Sequence, residues 1–121
     1  MTIALWILNA LLGFALFAAG LMKVVRPRAA LKERGMNFVD DFSAGSVKAI
    51  GVAEVLGALG LILPLATGIA PLLTPIAAVA LAVTMLAAAA VHVRRTESPV
   101  VTLVLATLLI ASAVIGFIVV L

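Results

Sequence analysis

Only one ionisable side chain of this chain lies deep inside an apolar run, the carboxylate of Glu54. It stands six residues past Lys48, about 9 Å further along a helix at 1.5 Å per residue. A carboxylate at that depth in hydrocarbon is costly unless it is paired, hydrated or protonated. Two chemistries answer to it: a group that binds a ligand or handles a proton, and an interhelical bond that orients neighbouring helices. Lys23 closes the first apolar run at cytoplasmic depth, and its stem is long enough either to snorkel to the headgroups or to reach Glu54 across a helical turn or two. Lys48 is about 240° round the helix from Glu54 and points away. His92, the one histidine, sits at the end of another apolar run beside Arg94 and Arg95. Its roles are interface anchor, hydrogen-bond partner or proton acceptor at the mouth of a cavity. Glu54, Lys23 and His92 are thus the ligand-binding or proton-handling candidates, and they can converge just below one membrane surface.

Other chemistries lack their residues. With no cysteine, the chain offers no disulfide, thiolate metal site or thiol redox centre. One histidine cannot supply two haem axial ligands or a structural zinc site. There is no glycine-rich phosphate loop and no serine–histidine–acid set, so no catalytic residue and no metal ligand is assigned. The net charge of +3 belongs to basic residues flanking apolar runs, which reads as topology and anionic headgroups rather than nucleic acid.

The elements that must position these groups are membrane helices. Hydrophobic residues make up 66% of the 121 residues and charged ones 11%, with a mean hydropathy of +1.40. No soluble domain of this size buries so much apolar surface. The expected fold is all-α, one transmembrane domain over residues 1–121: an antiparallel four-helix bundle with spans near 3–22, 47–65, 69–91 and 100–121. The first run is longer than a signal-peptide core and has no basic residue before it, so an uncleaved span is expected. Pro27 stops the first helix or starts the next. Residues 23–48 carry Leu31, Met36, Phe38, Val39 and Phe42 against Lys32, Glu33, Arg34, Asp40 and Asp41, which predicts an interfacial helix or packed loop. Ala49, Ala53 and Gly57 stand four apart, with Gly60 at a slight offset, and these are the expected helix-packing residues. Pro64 and Gly68 frame a short turn. Pro71 fits the start of the third helix, and Pro75 should bend its first part or make its start irregular. Asn9 can bond across helices, whereas Thr84, Thr107 and Ser112 can satisfy their hydroxyls on their own helices.

All eight basic residues lie in two places: Lys23, Arg26, Arg28, Lys32, Arg34 and Lys48 around the first connection, Arg94 and Arg95 in the third. The positive-inside rule then puts loops 1–2 and 3–4 in the cytoplasm and both termini outside, in a cell membrane of bacterial inner-membrane type.

Three stretches resemble the DoxX-like family of small four-helix membrane proteins: FALFAAGLMKV at 14–24, VKAIGVAEVLGALGLILPLA at 47–66 and HVRRTES at 92–98. The middle one is the most specific, with G-x-x-E-x-x-G-A-x-G-L-x-L-P over Gly51, Glu54, Gly57, Ala58, Gly60, Leu61, Leu63 and Pro64. The resemblance implies recurring polar positions at Lys23, Glu54 and His92. Relatives of that kind are associated with thiosulfate:quinone oxidoreduction or with a membrane complex for oxidative-stress resistance containing superoxide dismutase and a sulfurtransferase. More distant animal relatives act as assembly chaperones for receptor channels.

Three readings stand open at this point. The leading one is a non-catalytic membrane subunit or scaffold that recruits or stabilises a partner at the cytoplasmic loops, in a redox or stress-related complex. The alternative is a redox-linked subunit binding a quinone or another lipophilic ligand near Glu54. The third is a small-molecule transporter built as a homo-oligomer. Membrane lipid is the expected partner in each, nucleic acid in none, and quinone is the one cofactor considered.

Overall fold

The backbone amides of an apolar chain in lipid must be bonded within the chain, and helices achieve this span by span. In the computed structural model, which describes residues 1–121 except the side chain of Asp41, the elements run α1 (Thr2–Val25), α2 (Arg28–Glu33), a 3-10 segment (Asn37–Asp41), α3 (Ala44–Thr67), α4 (Leu73–Arg94) and α5 (Val100–Val120). The polar expectation for Asp41 lies outside the described residues. Helices α1, α3, α4 and α5 are each long and apolar enough to cross a membrane. The chain is an all-α four-helix membrane bundle with a short interfacial segment between its first two spans.

Two connections, α2 with the 3-10 segment and the α4–α5 loop, share the charged end of the bundle. The α3–α4 turn and both termini share the other, where no Asp, Glu, Lys or Arg occurs. The tightest neighbours are α1 with α3 and α4 with α5. These two pairs meet over a core of Leu12, Leu16, Leu61, Leu81, Met85 and Leu109.

The interfacial segment is a packed structure. Pro27 precedes the first residue of α2, where its missing N–H is no loss. Gly35, at φ 89°, ends α2 in a left-handed turn. That reversal is closed by Met36 N–H donating to the Leu31 carbonyl and Gly35 N–H to Lys32, both at 3.0 Å. Leu31, Val39 and Val47 form a small buried cluster covered by Met22, Met36, Phe38 and Phe42.

Two boundaries differ from the sequence expectation. Pro64 lies inside α3 rather than framing a turn, and the helix continues to Thr67. Gly68 at φ 72° ends it, with its N–H on the Pro64 carbonyl. Residues 69–72 form the turn, so Pro71 precedes α4 instead of starting it. Pro75 then falls in the first turn of α4, where N–H groups have no partner within the helix.

The packing face of α3 also differs. Ala49 and Ala53 are exposed, so they do not form the helix–helix seam within the chain. The residues that do are Val47, Gly51, Glu54, Ala58 and Leu61, alternating by four and three as one face of a helix requires. Gly57 and Gly60 do pack, against Leu81 and Ala77 of α4. A Cβ on them would come within 2.5 and 2.8 Å of those side chains.

Candidate functional site

Gly20 of α1 and Gly51 of α3 bring two helix backbones into contact. A Cβ on Gly20 would lie 2.7 Å from the Gly51 carbonyl oxygen, and one on Gly51 would lie 2.6 Å from that of Gly20. One helical turn beyond each glycine stands a charged residue, Lys23 on α1 and Glu54 on α3. The close approach lets them meet: Lys23 Nζ donates to Glu54 Oε1, and the pair is buried. Glu54 is 1% exposed and Lys23 9%, so neither charge is held by water. The ammonium also lies 5.5 Å from the centroid of the Phe38 ring, a cation–π contact from the interfacial segment. Lys48 does not take part; its Nζ donates to the Val24 carbonyl at the end of α1, at 3.1 Å.

His92 is placed by a different device. Helix α4 ends in a Schellman motif: Thr96 N–H donates to the Val93 carbonyl at 3.1 Å and Glu97 N–H to the His92 carbonyl at 2.8 Å. The reversal folds Glu97 back over the last turn, and Glu97 Oε1 lies 2.9 Å from His92 Nδ1. The position that glycine usually fills is Thr96, at φ 58°. The hydrogen bond from His92 holds the Glu97 carboxyl below the usual carboxylate range, with help from the Arg95 guanidinium and against the effect of partial burial. Arg95 Nε lies 3.6 Å from Glu97 Oε2, and its other end 3.8 Å from Asp40, which also pairs with Lys32 at 3.0 Å. These charges tie the α4–α5 loop to the interfacial segment.

Between the two helix pairs, at the charged end, lies a cavity of about 430 Å³. Lys23, Glu54 and His92 all line it, and the structure therefore brings the three together around one space. Thr84 and Thr102 add hydroxyls that already donate to the carbonyls of Ala80 and Pro99. The rest of the wall is mainly apolar, with Phe38, Phe42 and Met36 closing it from the interfacial segment. Ala15 of α1 and Val101 of α5, both exposed, also border it.

The opposite half of the bundle is closed. Asn9 donates from Nδ2 to the Leu61 carbonyl at 2.9 Å and accepts from Ser112 Oγ, joining α1, α3 and α5. The Ser112 hydroxyl is thus used between helices, not on its own helix as expected, because Asn9 offers a carbonyl oxygen in a place without water. Thr84 and Thr107 do bond within their own helices.

Sequence reasoning gave no packing role to Gly20 or Gly51 and no role to Glu97. Gly51 was accessible from Glu54 itself: residues three before, four after and seven after a buried carboxylate share its face, which selects Gly51, Ala58 and Leu61 over Ala49 and Ala53. Glu97 carried no such signal, because threonine occupies the position where glycine would have announced the reversal. Among the described residues no group of three or more His, Cys, Asp or Glu side chains could hold a metal ion.

No curated protein and no solved structure matches this chain. The sequence model of the DoxX-like family matches residues 7–114, a stretch that takes in Lys23, Glu54 and His92.

Proposed function

We propose, since the chain belongs to the DoxX-like family, that it is a small accessory subunit of the membrane whose charged-end cavity holds a lipophilic guest with a compact polar head. The observation that carries this reading is the cavity itself: apolar walls, about 430 Å³, and three convergent polar side chains. Small-molecule sites have this make-up and run from roughly 300 to 1,000 Å³. An ammonium has three donors, and one is taken by Glu54. The others suit a carbonyl, while the second carboxylate oxygen suits a hydroxyl. A quinone-type head offers the first group when oxidised and the second when reduced. Exposed Ala15 and Val101 on its border suit a guest that arrives from the bilayer.

The scaffold reading keeps one observation in its favour. Lys32, Glu33, Arg34, Asn37 and Asp40 form an exposed polar surface on a folded interfacial segment, as a docking protein would need. Transport through one copy is disfavoured by the filled core beyond the cavity, where Asn9, Leu61 and Ser112 join three helices; an oligomeric pathway remains a separate proposal. The charge distribution supports the charged end as the cytoplasmic one.

Purification from the native membrane in mild detergent, with analysis of co-purifying lipophilic molecules and proteins, tests the reading. A stoichiometric lipophilic guest that is lost in Glu54→Gln supports it. A stoichiometric protein partner with no such guest turns the assignment to the scaffold.

A further inference from the structure

The Lys23–Glu54 pair accounts for how a head group is held, but it leaves His92 and Glu97 unused. His92 lines the same cavity, and its Nδ1 is 2.9 Å from a Glu97 carboxylate oxygen. A carboxylate only accepts hydrogen bonds, so Nδ1 carries a proton in both charge states of the ring. The nitrogen that gains or loses a proton is therefore Nε2. In the neutral ring Nε2 accepts; in the imidazolium it donates. We propose that His92, oriented by Glu97, distinguishes a head that accepts a hydrogen bond from one that donates it, so that the oxidised carbonyl and reduced hydroxyl forms of one guest bind with opposite pH dependence. The proposal rests on the reading of the cavity as a ligand site and adds its regulation by protons.

The charged groups around the cavity have partners of their own or face outward. Lys23 of α1 and Glu54 of α3 neutralise one another. From the interfacial segment, Asp40 is engaged with Lys32 and with Arg95. On the loop, Arg95 lies against the second oxygen of Glu97. On α4 itself, Arg94 is exposed. The polar group α5 brings to the cavity is the uncharged Thr102, already bonded to Pro99. Glu97, held below the usual carboxylate range, stays ionised and keeps Nδ1 protonated.

The test measures the Kd of a short-chain benzoquinone and of its hydroquinone, the latter under argon, for the whole protein in nanodiscs between about pH 5 and 8. The quinone is expected to bind more weakly as pH rises and the hydroquinone more tightly, each by up to about tenfold per pH unit for one coupled proton. His92→Phe weakens both by about three- to tenfold, one hydrogen bond's worth, and removes both slopes. Glu97→Gln, which deletes the negative charge beside the ring, moves both midpoints to lower pH. Flat or parallel curves in the wild type, or unchanged slopes in His92→Phe, overturn the proposal while leaving the cavity a ligand site. Failure of either form to bind at any pH overturns both.

Discussion

A buried ion pair is poor evidence of stability by itself, because taking two charges out of water costs as much as their attraction returns. Lys23 and Glu54 are therefore better understood as a polar device kept inside the bundle than as its main support. The energetic signature is asymmetric. Glu54→Gln or Lys23→Met leaves a buried charge without its partner and should lower stability by about 3–5 kcal/mol. The double variant Lys23→Met/Glu54→Leu removes both charges and should recover most of that loss. Unfolding in a denaturing detergent series reads all three, and additive losses would exclude the pair as a coupled unit. Thr96 is the second residue with a definite expectation. A β-branched side chain at φ 58° is strained, so Thr96→Gly should stabilise by about 0.5–1 kcal/mol. The His92–Glu97 contact should persist, since the backbone reversal that makes it is the one glycine prefers. A loss of stability in the same assay would show that the threonine contributes more than its strain costs.

At the scale of the helices, the site depends on how closely α1 and α3 approach. Gly51→Ala places a Cβ 2.6 Å from a backbone carbonyl, and a backbone cannot yield as a side-chain tip can. The helices must part, which separates Lys23 from Glu54; a cost of about 1–3 kcal/mol is expected. Gly45→Ala is the control, because a Cβ there meets nothing within 4 Å. Alanine is also the better helix former, so this change should be neutral or stabilising by up to about 1 kcal/mol. Equal effects from the two would contradict the close-approach account. The helices were legible in the sequence because hydrocarbon leaves the backbone so few choices. Glu54 was legible because a charge in an apolar run is conspicuous. The seam was not: an alanine–glycine repeat such as 49–53–57 serves a lipid face as readily as a packed one. The ends of α3 and α4 were misjudged for a related reason, since Pro64 looked like a terminus and is tolerated inside the last turns of α3. The reversal that brings Glu97 to His92 was invisible, because its special conformation falls on a residue type that does not advertise it.

Over the whole molecule, charge and closure are both polarised. One end carries all the basic residues, the ion-pair network and the cavity; the other is uncharged apart from the chain termini and is tightly packed. The charge asymmetry predicts the orientation. With no cysteine of its own, the chain gives single-cysteine variants without background. A membrane-impermeant maleimide applied to intact cells should label Ile69→Cys and leave Glu33→Cys unlabelled until the membrane is opened. The reverse pattern would invert the topology and place the cavity at the outer face. What the polarity means for function comes down to occupancy. Native mass spectrometry of the protein extracted from its own membrane tests this most directly, comparing wild type with two variants: Ala88→Phe, which adds bulk to the cavity wall, and Lys23→Met/Glu54→Leu, which removes its charges. The account predicts a defined extra mass on the folded wild type that is absent from both. The same mass on all three, or none on the wild type, would contradict it.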